Sequence, residues 1–219
     1  MLRIIWAAII LLSLAGPTPA FFLFLCPAPS PEAQLKLTAG DRLNADEKLN
    51  AEVFSGAKVE FLAPDGTRTP ADLGTKAGAK LDPTRAAAVL ATAEYGVVTR
   101  GGPAVFVVHH AKFVAVPSET PPLGNQPLEI TPVLAGRQVS FRVTARGTPK
   151  PGVDVAVWVP GEKAARAVKT DANGTTPAFA PAGDYSARCT ATEAQEGEFV
   201  GRKYTHVRHH ATLVTAVRP

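Results

Sequence analysis

Twenty prolines and eighteen glycines are spread along a chain of 219 residues, and they fall between short segments rich in Val, Thr and Phe. Proline removes a backbone donor and glycine weakens any regular element it interrupts. This punctuation argues against long helices and asks for many turns joining short strands. The expected fold class is all-β, built as two antiparallel β-sandwich domains. One helical candidate remains, Pro83 to Thr92 (PTRAAAVLAT), which reads as a short helix or as a turn leading into a strand, with strand favoured. Asp41 to Glu52 (DRLNADEKLNAE) is polar and reads as a surface loop.

Strand composition marks Gln34 to Thr38, Lys58 to Leu62, Ala91 to Thr99 and Ala104 to Val116, separated by turns such as Pro64-Asp65-Gly66. Further on, Val139, Phe141 and Val143 alternate with Gln138, Ser140, Arg142 and Thr144, the period-two pattern of a half-buried strand. Val153, Val155, Val157 and Val159 repeat it, with Trp158 on the other side. Asp171-Ala172-Asn173-Gly174 offers a tight turn whose Asn-Gly pair tolerates positive φ, and Tyr185 to Thr190 follows as a strand. Pro117 to Pro127 (PSETPPLGNQP) concentrates prolines into a stiff, uncompacted connector. The expected division is an N-terminal sandwich over 21–120, a linker over 121–127 and a C-terminal sandwich over 128–219, each of ordinary domain size.

The first twenty residues read as an export signal: Arg3, then apolar Ile4 to Gly16, then Pro17-Thr18-Pro19-Ala20, with cleavage after Ala20. The mature chain is then periplasmic or extracellular, and Phe21 to Leu25 is its first strand. An uncleaved signal, near the roughly 20 apolar residues a membrane helix needs, would be the one route to a membrane. Cys26 follows bulky Leu25, which does not suit acylation. Cys26 and Cys189 allow one disulfide or two buried free thiols, and the sequence leaves that open. The formal charge of +4 comes from 23 basic and 19 acidic residues with no basic run, so no nucleic-acid footprint is indicated.

Catalytic patterns are missing: there is no Gly-x-Ser-x-Gly elbow, no His-Glu-x-x-His and no glycine-rich phosphate loop. A non-enzyme is expected. The chemistry instead gathers on imidazole, because the five histidines fall in two places, His109-His110 and His206 to His210. On a strand His206 and His210 share a face but stand roughly 13 Å apart at about 3.3 Å per residue. That is far beyond two bonds of about 2.1 Å to one ion. A metal site therefore requires convergence of different strands. Alternation places His109 with the apolar set and His110 with the polar set. It also places His209 inward with Val207, Ala211 and Leu213, and His206 and His210 outward. His110 with His209 or His210, plus a carboxylate from Glu193, Glu196 or Glu198, is the candidate set, with Lys112 and Arg208 as opposing positive charge.

The stretch from Gly147 to Cys189 resembles the transthyretin-like, carboxypeptidase-regulatory type of β-sandwich. The matching residues are Gly147, Pro149, Gly152 and Val155 at a strand start, Thr170, Asp171 and Gly174 at a turn, and Gly183 and Tyr185 opening the next strand. That module is a non-catalytic attachment in many exported proteins, so it speaks to fold and hardly to function. From Phe21 to Val217 the chain is also similar to an exported domain-of-unknown-function family allied to periplasmic nickel- and cobalt-uptake accessory proteins. This similarity rests on the Phe-rich first strand, Tyr95-Gly96-Val97, His110-Ala111-Lys112 and the ending EGEFVGRKYTHVRHHATLV. It implies an exported protein that handles nickel, cobalt or zinc and partners a metal-uptake membrane complex or another envelope protein. His110 and His209 fit the pattern best, Tyr204 is their neighbour, and His210 completes the expected ligands. One departure is that relatives often carry a histidine at the mature start, where this chain has Phe21-Phe22. The competing reading is a structural or adhesion module that binds protein or glycan partners at the cell envelope.

Overall fold

A computed structural model describes residues 22–27, 34–40, 56–71, 79–80, 86–99, 101–180 and 182–218. The expected signal peptide and the loop from Asp41 to Glu52 lie outside these residues. Among the described residues there are fourteen strands and no helix, so the all-β expectation holds.

Eight strands form one central sheet: β12 (Arg166–Lys169), β11 (Asp154–Trp158), β13 (Gly183–Phe199), β14 (Arg202–Val217), β7 (Val105–Val114), β6 (Ala88–Val98), β3 (Lys58–Leu62) and β4 (Arg68–Ala71), in that spatial order. Two three-stranded sheets accompany it. One is β1 (Phe22–Pro27), β2 (Gln34–Gly40) and β5 (Ala79–Lys80); the other is β10 (Thr148–Pro149), β9 (Gln138–Ala145) and β8 (Glu129–Ala135). The candidate helix over Pro83 to Thr92 is β6 from Ala88 onward.

Two expectations change at the centre of this sheet. Pairing is not antiparallel throughout, because β14 runs parallel to β7, from His206 beside Val105 to Thr215 beside Val114. Parallel neighbours need a long crossover, and here it is the whole chain from β8 to β13. Strands from both sides of Pro117 to Pro127 therefore share one sheet, rather than forming separate all-antiparallel sheets. The connector itself is packed down. Pro117, Gly124 and Gln126 are buried, Leu134 N donates to Ser118 O at 3.0 Å, and Gln126 Nε2 donates to Ala91 O at 3.4 Å.

Both faces of the central sheet are covered. On one, Leu90, Val155, Tyr185 and Leu213 pack with Ile130 and Phe141 of the β8–β9 layer. On the other, Val89, Ala111, Phe113 and Val214 pack with Phe22, Leu23 and Phe24 of β1. Strands buried on both sides read as continuous apolar runs rather than alternating ones, which is why every residue of β7 is buried. Burial extends to Lys112, whose side chain is 1 % exposed and whose Nζ donates to Glu129 Oε1 at 2.6 Å, Thr131 Oγ1 at 2.9 Å and Pro122 O at 3.1 Å.

The two cysteines fall on opposite sides of the sheet and both are free thiols. Cys26 lies 3.3 Å from Thr38 Oγ1, and burial pushes the Cys189 thiol up to about 12.

The Asp171 turn forms where expected, but by a different device. Asp171 Oδ1 accepts from Asn173 N and Thr175 N, both at 2.9 Å, and positive φ falls on Gly174 (71°) alone within the turn. A Cβ on Gly174 would meet Val143 O at 2.7 Å and Lys150 N at 2.8 Å. Gly174→Ala is expected to cost about 2–4 kcal/mol, combining left-handed backbone strain with overpacking. Urea unfolding measures it, and an unshifted midpoint would refute this account of the turn.

Candidate functional site

The two histidine pairs meet because β7 and β14 are neighbours. Their register sets His210 beside His109 and His209 beside Val108. Successive side chains on a strand point to opposite faces, so the four imidazoles sort into two pairs, back to back across the sheet. His110 and His209 face the β8–β9 layer. His109 and His210 face β1.

On the first face, His110 Nε2 and His209 Nδ1 lie 3.0 Å apart, joining residues 99 positions apart in sequence. His209 Nε2 lies 3.2 Å from Glu193 Oε1, and Arg146 holds that carboxylate through Nη2 at 2.8 Å and Nη1 at 3.4 Å. Hydrogen bonding from Arg146 leads in lowering the Glu193 carboxyl to about 2, so it is ionised. Burial pushes His110 down to about 3, with the neighbouring imidazoles adding to it, and burial also lowers His209 against the opposing pull of Glu193. Both rings are therefore neutral. Neutral imidazole has one donor and one acceptor nitrogen. His209 must donate from Nε2 to the ionised carboxylate, so its Nδ1 accepts and His110 Nε2 donates. His110 Nδ1 is then a lone pair, buried without a hydrogen-bond partner.

The second face places His210 apart from this pair. It was expected to point outward and to share ligands with His110 and His209; instead β1 covers it. Its ring stacks on His109 at 5.1 Å, meets Phe22 edge-on at 4.7 Å, and Nδ1 bonds Thr190 Oγ1 at 2.8 Å. Burial lowers His109 to about 4 and His210 to about 3. His206 is half-buried and sits beside Thr205 Oγ1.

A cleft of about 340 Å³ opens over the first pair, lined by His110, His209, Tyr204, Gln126, Glu94 and Arg68 together with Arg146 and apolar neighbours. Tyr204, expected as a neighbour, reaches it by stacking on Phe106 at 5.1 Å. Of the three candidate carboxylates only Glu193 engages an imidazole; Glu196 and Glu198 are exposed on the far part of β13. The two opposing charges do not bear on the pair as expected. Lys112 is neutralised by Glu129, and Arg208 is an exposed side chain bonded to Thr192 Oγ1.

Compared with protein-family models, curated proteins and solved structures, the chain matches none. Two bonds of about 2.1 Å meeting near a right angle span about 3 Å, so the His110–His209 nitrogen separation suits two adjacent ligands of one ion. A closed protein cage does not fit. Among the described residues no three His, Cys, Asp or Glu side chains are placed to hold a metal, and Glu193 meets His209 on the nitrogen that faces away from His110.

Proposed function

We propose that this is an exported, non-enzymatic binding protein whose cleft takes a divalent transition metal, of the nickel, cobalt or zinc kind, on His110 and His209. The observation that carries the reading is the 3.0 Å approach of two imidazole nitrogens from separate strands at a cleft wall. Imidazole suits these ions. Depressed pKa values keep both rings neutral at pH 7, so the ion has only the hydrogen bond between them to displace: the proton on His110 Nε2 moves to the unpartnered Nδ1, and Nε2 then offers its lone pair beside that of His209 Nδ1. Glu193 supports the pair as a carboxylate behind a ligating histidine does, by orienting the ring and fixing its tautomer. The resemblance to uptake accessories supports export to the periplasm or beyond and a membrane uptake complex as the partner that receives the ion. Two protein ligands make a site that can release its cargo, which suits such a hand-over.

Calorimetric titration of the purified protein with nickel and zinc tests this. Binding is expected at micromolar protein, with loss of at least about tenfold in His110→Ala/His209→Ala and no change in His210→Ala. Absence of binding by the unaltered protein, or equal affinity in the double variant, sinks the proposal.

A further inference from the structure

We propose that the cleft takes its metal together with a carboxylate-bearing chelator rather than as the hydrated ion, an inference that rests on the metal reading above. Ions of this kind use at least about four donors, and among the described residues His110 Nε2 and His209 Nδ1 come together at the cleft with no third His, Cys, Asp or Glu placed to join them. Glu193 is held by Arg146 and meets the far nitrogen of His209. A bound chelator would supply the remaining half or more of the coordination sphere.

Size and hydrogen-bond chemistry then say what supplies it. The cleft of about 340 Å³ is far larger than an ion and falls in the range of small-molecule sites, about 300–1,000 Å³. Its wall carries two guanidinium groups, Arg68 and Arg146, against one carboxylate, Glu94, while Thr92, Asn125, Gln126, Gln195 and Tyr204 can each donate or accept. A carboxylate chelate presents anionic acceptor oxygens, with which guanidinium groups pair well, whereas a hydrated dication beside two guanidinium groups meets like charge. Arg68 has donors for that role: among the described residues only its Nη1 is engaged, with Glu60 at 3.3 Å, and its side chain is 34 % exposed.

The experiment titrates the protein with nickel chloride, with citrate, and with nickel plus equimolar citrate. It compares the unaltered chain with Arg68→Gln, Arg68→Lys and His110→Ala/His209→Ala. Nickel–citrate is expected to bind about tenfold more tightly than nickel alone, with about threefold of that lost in Arg68→Gln and partly restored in Arg68→Lys. Nickel alone should be indifferent to Arg68, and the histidine double variant should lose both ligands. Nickel binding no tighter with citrate than without, still dependent on the two histidines, would overturn this inference and leave the metal reading standing. Nickel–citrate affinity unchanged in Arg68→Gln would do the same. Citrate alone binding as tightly as nickel–citrate, indifferent to the histidines, would overturn this inference, and absence of all binding would overturn both.

Discussion

Lowering the pH from 7 to 5 is expected to remove about 6 kcal/mol of folding stability, because three buried imidazoles cannot accept the protons that the unfolded chain accepts. His109, His110 and His210 are pushed down from 6.5 to about 4, 3 and 3, mainly by burial. Above pH 6.5 folded and unfolded forms both hold these rings neutral, and stability is unaffected. Below it the unfolded form binds protons and the folded form does not, so stability falls by about 1.4 kcal/mol per pH unit for each ring. The loss ends only as each folded ring protonates, near pH 4 for His109 and near pH 3 for the others. His209 is lowered as well and adds in the same direction. Against a typical total of about 5–15 kcal/mol, such a loss brings acid unfolding between about pH 5 and 4.

Urea unfolding at pH 7, 6 and 5 measures the slope. A value at or below about 1.4 kcal/mol per pH unit, that of one histidine, would refute the three-ring account. His210→Gln should flatten the slope by one ring while leaving the protein folded at pH 7. The same burial that makes the fold acid-labile keeps the His110 ring of the cleft neutral between pH 7 and 6.

Alternation and turn chemistry carried the strands well: Val139, Phe141 and Val143 are fully buried as their spacing demands, and β3 spans Lys58–Leu62 as its composition indicates. Parity also sorted His109 from His110 and His209 from His210. What parity cannot give is whether a face is wet. His210 was placed outward because Arg208 shares its face, yet Phe22, far away in sequence, closes over it. The parallel pairing of β7 with β14 is similarly silent, since neither strand carries a local signal of its neighbour. Convergence of His110, His209 and Glu193 could be named as one possibility among several because residue type restricts ligands. Arg146 could not, because its role depends on where the end of β9 falls against β13. The connector misled for a physical reason: its prolines suit an extended path, and its burial follows from Gly124 and Gln126 N–H groups finding Glu129.

Glu129→Ala is expected to destabilise the protein by about 3–5 kcal/mol, among the largest effects of any single substitution here, since it leaves a charged amine without its counter-ion in a dry core. Lys112 and Glu129 are 1 % and 0 % exposed, and burial already drives the Lys112 amine below its ordinary value against the pull of Glu129. Removing the carboxylate removes that opposing pull, and it also strips acceptors from Gly124 N at 2.8 Å and Gln126 N at 3.4 Å. Lys112→Met should cost less, because Glu129 keeps those two amides and the Thr131 hydroxyl at 3.2 Å as donors. The pair Lys112→Met/Glu129→Leu should recover much of the loss, as replacing both charges removes the desolvation problem and leaves two unpaired amides. Urea unfolding of the four proteins closes the cycle; a cost under about 1 kcal/mol for Glu129→Ala would show that water reaches Lys112. The consequence extends to the cleft. Glu129 fixes the connector whose Gln126 lines the wall above His110, and Gly124 there is pressed on Leu90, where a Cβ would meet Cδ1 at 2.7 Å. Loosening the ion pair should therefore weaken ligand binding as well as stability, whereas Lys112→Met, which leaves the connector's acceptor in place, should weaken stability alone.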